Sequence, residues 1–143
     1  MKTKLIASIL LCSFTTAALM YGCKKKEENQ TVTSTNGDYA GTWTVNETCS
    51  SAWSYQMTAA ATGTNGVTLT NFHKGTFANG FTINATVNDK TLTIASQTAT
   101  SSAQGGPYTF SGSGTFTPPG TMTINYTMAQ GATSLTCSSN CTK

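Results

Sequence analysis

From Asp38 to the end of the chain, apolar side chains recur at every second position, the period of a strand with one face buried and one in water. Trp43, Val45 and Cys49 share one parity, with Thr42, Thr44, Asn46 and Thr48 opposite. Tyr55, Met57, Ala59 and Ala61 alternate next, and Val67 and Leu69 follow the turn Gly63-Thr64-Asn65-Gly66. Phe81, Ile83, Ala85 and Val87 alternate strictly. Asn88-Asp89 then turns the chain into Lys90-Thr91-Leu92-Thr93-Ile94, because Asn and Asp tolerate the left-handed backbone of a tight hairpin. A further hairpin joins Tyr108, Phe110 and Phe116 to Met122, Ile124, Tyr126 and Met128 through Pro118-Pro119-Gly120, and a last strand holds Leu135 and Cys137.

No amphipathic helix of useful length interrupts this pattern. About eight short strands joined by tight turns predict an all-β domain, an antiparallel up-and-down meander closing into a barrel, with a β-sandwich as the alternative. Closure also removes the exposed edges of an open sheet. The predicted inward set is Trp43, Val45, Tyr55, Met57, Leu69, Phe81, Ile83, Val87, Leu92, Ile94, Phe110, Phe116, Ile124 and Tyr126. Gly112 and Gly114 share that parity, which suggests a bend or a close backbone approach.

The first 37 residues follow different rules. Lys2 and Lys4 precede the apolar run Leu5–Leu11, and Ala17-Ala18-Leu19-Met20 leads to Tyr21-Gly22-Cys23. Ser13, Thr15 and Thr16 break the apolar stretch, so residues 1–22 are expected to direct export and be removed, not to span a membrane. The Leu19-Met20-Tyr21-Gly22-Cys23 segment resembles a bacterial lipoprotein lipobox. That resemblance implies cleavage before Cys23 and acylation of Cys23, and several acyl chains at ~0.8 kcal/mol per buried methylene hold a protein durably to a membrane. Residues 23–37 form the lipidated cysteine and a polar, Thr/Ser/Asn-rich tether that buries too little to offset its ordering entropy. Lys24-Lys25-Lys26-Glu27-Glu28 resembles the export signal of surface-exposed Bacteroidota lipoproteins; as a plain solvated spacer it would serve equally well. The β domain occupies 38–143.

Charge narrows the partners. Five of the eight lysines lie in the first 26 residues, there is no arginine, and the net charge of +3 therefore belongs to the N-terminus. Beyond residue 28, Lys74, Lys90 and Lys143 balance Asp38, Glu47 and Asp89. A nucleic-acid reader needs clustered Lys and Arg on its folded body, so nucleic acid is excluded as a partner. Thirty threonines reinforce the strand assignment, since β-branched side chains suit a pleated, half-wetted surface.

Tyr39-Ala40-Gly41-Thr42-Trp43 places Gly-x-Trp on the first strand, which resembles the lipocalin and wider calycin signature. Together with Val67–Phe72, Gln97, Tyr108–Gly114 and Cys137, the chain is similar to the small lipocalin-like lipoproteins of Bacteroidota over about residues 38–137. The resemblance implies a lipocalin-like barrel with Trp43 packed across its base. It assigns no activity to a named residue.

With Cys12 removed with the signal and Cys23 acylated, Cys49, Cys137 and Cys141 remain, and an oxidising compartment favours one disulfide. Cys49 ends the first strand and Cys137 lies on the last, so in a closed barrel Cys49–Cys137 would staple the seam. Cys49–Cys141 is the alternative, and Cys137–Cys141 would close only a tiny loop. With a single histidine and export through an oxidising space, neither a metal site nor a cofactor is expected.

Catalytic constellations are sparse. His73, in Asn71-Phe72-His73-Lys74-Gly75, reads as an exposed loop residue, and no Gly-x-Ser-x-Gly elbow presents a serine to it. Asp38 precedes the first strand and Asp89 occupies a turn. Glu47 shares the inward parity and would need a partner or a raised pKa if enclosed; the open end of the barrel, in water, is its expected place. An enzyme is not expected. Phe72 and Phe77, flanking a Gly- and Lys-bearing loop, are the candidate rim of a binding site, with Glu47 beside them. The expected product is a monomeric, lipid-anchored protein of the outer membrane, facing the periplasm or the exterior. It would bind a small or hydrophobic ligand at the barrel mouth or, alternatively, serve as a structural or interaction module of the envelope.

Overall fold

A computed structural model describes residues 33–74, 77–101 and 106–143; the signal segment, Cys23 and the tether up to residue 32 lie outside them. Eight strands run in order: β1 (Gly41–Thr48), β2 (Ala52–Thr62), β3 (Gly66–Phe72), β4 (Phe81–Asn88), β5 (Thr91–Ala99), β6 (Tyr108–Thr117), β7 (Thr121–Gln130) and β8 (Thr133–Thr142). Each pairs antiparallel with its sequence neighbour, and β1 pairs with β8, which closes the barrel. This is an all-β, up-and-down antiparallel barrel of eight strands, consistent with a lipocalin-like fold; the sandwich alternative falls away, because every strand among the described residues belongs to the single closed sheet.

All fourteen residues of the predicted inward set are buried. The period-2 pattern works because a register slip by one residue would turn every such side chain into water. Gly112 pairs with Tyr126, and a Cβ at Gly112 would fall 2.5 Å from that of Tyr126. The glycine thus clears the space that lets the large Tyr126 side chain stand inside the barrel.

One end is shut by its own chain. The single turn α1 (Asn36–Tyr39) lies below β1, and Ser34, just before it, donates its N–H to Asp89 Oδ1 at 2.8 Å. Contacts with the barrel thus reach upstream of Asp38 as far as Ser34. Asp38 Oδ2 accepts from the Thr35 N–H at 2.6 Å, which holds the Asp38 carboxyl below its usual range. Tyr39 is fully buried, stacks on Phe116 with ring centroids 4.9 Å apart, and bonds the Asp89 carbonyl through its hydroxyl. Burial, with Asp89 and Asp38 nearby, pushes that phenol up to about 12. Trp43 packs edge-on against Phe116 and donates its indole N–H to the Tyr39 carbonyl at 2.8 Å. The Lys143 ammonium sits 4.8 Å from the Trp43 ring centroid and also bonds the Ala40 carbonyl, so a lysine closes this floor in a chain without arginine.

Two departures from regular strand geometry matter. The hairpin turn between β4 and β5 is Asp89-Lys90, one residue later than the pattern suggests, with Asp89 in the left-handed region at φ 51°. Further along that seam the ladder spans only Thr86–Asn88 and Thr91–Thr93, and the Gln97 side chain takes over. Its Oε1 accepts from the Asn84 N–H at 2.9 Å and its Nε2 donates to the Asn84 carbonyl. An amide side chain thereby stands in for the missing strand partner. Gln97→Ala is expected to cost about 1–2 kcal/mol, two net hydrogen bonds at an exposed site, and to speed amide exchange at Asn84 selectively. Unchanged exchange at Asn84 would refute the substitution of side chain for strand.

Candidate functional site

The other end of the barrel is open, and a buried polar cluster lies beneath it. β3 prepares this arrangement. Its register shifts between Leu69 and Phe72, and Asn71 adopts φ 65° at the irregularity. Asn71 stabilises its own bend: Nδ2 donates to the Gln56 carbonyl and Oδ1 accepts from the Gly80 N–H at 2.9 Å. One extra residue reverses the inside–outside alternation. Phe72, which the alternation would otherwise turn outward, points into the core.

Three expectations for this end therefore need correction. Phe72 is not on a rim; it is buried against Phe110 and Tyr126, with centroids 5.9 and 4.6 Å away. His73 is not an exposed loop residue; at φ 48° it swings inward and retains only 5% exposure. Glu47 does point inward, but it is 1% exposed and shielded from water. Phe77 is half-buried and packs against Phe81 and Tyr108 at the opening.

A buried carboxylate demands donors, and Glu47 has four around it. Oε2 accepts from the hydroxyls of Tyr55 (2.7 Å), Tyr126 (2.6 Å) and Ser139 (3.1 Å). Oε1 lies 3.0 Å from His73 Nδ1, but off the direction of the N–H, so it remains without a directed hydrogen bond. His73 Nδ1 instead contacts Tyr126 Oη at 2.5 Å. Because Tyr126 gives its only proton to Glu47, its oxygen accepts here and Nδ1 carries the hydrogen. The Tyr55 hydroxyl also accepts the His73 backbone N–H at 3.0 Å, tying the loop to the barrel wall.

These contacts decide the ionisation. Burial pushes the Glu47 carboxyl up, but the imidazole of His73 beside it and the hydroxyl hydrogen bonds of Tyr126 and Tyr55 outweigh that effect and hold the group below its ordinary value. Burial and the Glu47 charge in turn raise the phenols of Tyr55 and Tyr126, so both remain donors throughout the physiological range.

The Cys49–Cys137 disulfide borders the same cluster and joins β1 to β8 with Cα atoms 4.3 Å apart, the seam pairing preferred from the strand order. A His73 ring nitrogen and both sulfurs lie within 4.8 Å of one another. Cys141 is a free, buried thiol, pushed up to about 12 by burial and by Glu47. It should resist iodoacetamide at pH 8 in the native protein and react after denaturation, as read on its own peptide by mass spectrometry. Labelling of the native thiol within minutes would contradict its burial.

Above this layer, inward-facing apolar side chains line an opening. One cleft of about 330 Å³ is lined by Cys49, Trp53, His73, Phe77, Met128 and Leu135 among others. A second of about 320 Å³, lined by Tyr108, Gln130 and Thr133 as well, shares Phe77, Met128 and Leu135 with it. Trp53 has the inward parity of Tyr55 yet is 37% exposed, because it stands at the rim. The alternation at strand ends could have marked Trp53, Tyr108, Met128 and Leu135 as a mouth. Tyr55, Tyr126 and Ser139 carried no such signal, since a phenol on an inward face reads as core.

Comparison of the chain with protein-family models, with curated proteins and with solved structures finds no match.

Proposed function

We propose that this chain is a lipid-anchored envelope protein whose barrel binds a small, mainly apolar molecule at its mouth. The observation that carries the reading is the pair of adjoining clefts that share the walls Phe77, Met128 and Leu135, one of them floored by His73. Their individual volumes, about 320 and 330 Å³, fall at the lower end of small-molecule sites, which run from ~300 to 1,000 Å³ and combine apolar walls with few polar groups. With Nδ1 turned to Tyr126 and Glu47, the imidazole has Nε2 left to orient a ligand that carries one polar group. Packed aromatic rings of Phe72, Phe81, Phe110 and Tyr126 occupy the interior below, so the ligand rests at the mouth and does not penetrate the barrel.

Binding without turnover suits the chemistry available. Glu47 is surrounded by donors, and the sulfurs nearest His73 are joined to each other. Anchoring rests on the Gly22-Cys23 junction, export on the basic start and apolar run before it, and outward transport on Lys24-Lys25-Lys26-Glu27-Glu28. The filled interior equally favours an interaction module of the envelope, a second reading in which loops alone meet a partner.

Native mass spectrometry of the chain purified from its own envelope tests the choice. One retained small molecule, lost in a folded Leu135→Arg variant, supports the binding reading. A chain that emerges empty, and whose Trp53 emission ignores a panel of small aromatic and acyl compounds, leaves the interaction module.

A further inference from the structure

We propose that reduction of the Cys49–Cys137 disulfide converts the floor of the mouth into a zinc site, with both thiolates and His73 as protein ligands. The inference goes beyond ligand binding at the mouth and does not depend on it. A His73 ring nitrogen and the two sulfurs lie within 4.8 Å of one another. In a tetrahedral zinc centre, bonds of about 2.3 Å to sulfur and 2.0 Å to nitrogen set neighbouring ligand atoms about 3.5–3.8 Å apart. The three groups thus need only side-chain adjustment, and Cys49, half-buried one residue past the end of β1, can supply it.

The surroundings are those of a metal-binding histidine. With Nδ1 facing Tyr126 and Glu47, Nε2 becomes the ligand atom. Glu47 Oε1 is buried, lies 3.0 Å from Nδ1 and has no directed hydrogen bond. A cation on Nε2 makes the Nδ1–H, held by Tyr126, more acidic, and the Glu47 carboxylate 3.0 Å away, which also holds the Tyr126 hydroxyl, stabilises the positive charge that grows on the ring. A carboxylate behind a ligating imidazole fixes the ring and strengthens the donor, and its loss weakens metal affinity about 10–100-fold. The cleft of about 330 Å³ above leaves a fourth position for water or another donor. Two thiolates, one imidazole and an open position suit zinc or its spectroscopic substitute cobalt better than magnesium or calcium, which prefer oxygen.

The chemistry balances as follows. A dithiol reductant gives two electrons and two protons to the disulfide and itself becomes a disulfide. Binding Zn²⁺ then releases the two thiol protons to solvent, leaving a dithiolate complex.

The full chain, reduced anaerobically with a dithiol and freed of it, is titrated with Co²⁺ and followed by absorption. The expected result is one cobalt per chain, with thiolate-to-cobalt charge-transfer and tetrahedral bands that Zn²⁺ bleaches; the oxidised chain shows neither. His73→Ala, which keeps every cysteine, should weaken binding at least tenfold and shift the bands. Glu47→Gln should weaken it about 10–100-fold with little spectral change. Circular dichroism establishes that each reduced sample is folded. A reduced wild type that unfolds, a folded one that binds no cobalt, or His73→Ala binding as tightly as wild type each overturns the proposal.

Discussion

Glu47→Leu is expected to destabilise the barrel by about 3–5 kcal/mol, the range found when one partner of a buried charged network is removed. The carboxylate takes hydrogen bonds from Tyr55, Tyr126 and Ser139 and faces His73, so leucine would leave three buried hydroxyls and an imidazole without their acceptor. Glu47→Gln keeps the shape but sets an NH2 group among donors, and should cost less, about 1–3 kcal/mol. Urea unfolding at pH 7 measures both; a leucine variant within 1 kcal/mol of wild type would mean that water reaches the cluster.

Acid provides the companion measurement. Because the folded-state pKa of Glu47 is depressed, its contribution is fully present above the ordinary carboxyl value of 4.5 and disappears as pH falls through the lower, folded value. Wild type should therefore lose stability below about pH 4.5 more steeply than Glu47→Gln. Asp38 has the same sign and remains in both proteins, so their difference isolates Glu47. Parallel acid limbs would place the cluster's ionisation elsewhere.

Replacing both Cys49 and Cys137 by serine should cost about 4–5 kcal/mol, the chain entropy that closing a loop of this length removes from the unfolded state. The sequence separation is 88, most of the domain. Changing both residues avoids leaving a thiol that could pair with Cys141. Without the crosslink the unfolded chain expands and exposes more surface, so the m-value should rise somewhat and the free energy is taken from midpoint and m-value together. A shift equivalent to less than 1 kcal/mol would show that the β1–β8 ladder holds the seam without covalent help.

The strands and the core were legible because both depend on alternation, and alternation survives wherever a sheet has one dry face. Trp43, Val45, Met57, Ile83 and Ile124 follow it without exception. The seam disulfide was legible for a related reason: closure makes first and last strands neighbours. The polar cluster was hidden because one bulge at Asn71 turned Phe72 inward and the positive φ of His73 then swung the next residue in as well, and period-2 reasoning cannot count an extra residue that it does not know exists. Asn71 itself was the available clue, since asparagine is among the few residues that accept a positive φ. Glu47 was assigned the correct face, but its partners come from β2, β7, β8 and the loop after β3, and no local pattern joins residues so far apart in sequence.

The bond between Cys49 and Cys137 also has a topological effect. Every turn from Gly63 to Gly131 lies inside the covalent ring that it closes. A protease that cuts once in any of those turns opens the ring without dividing the molecule: the two pieces migrate together until a reductant is added. Single nicks in service would therefore leave the protein's mass and its attachment intact, and the barrel could tolerate damage that would sever an unstapled chain.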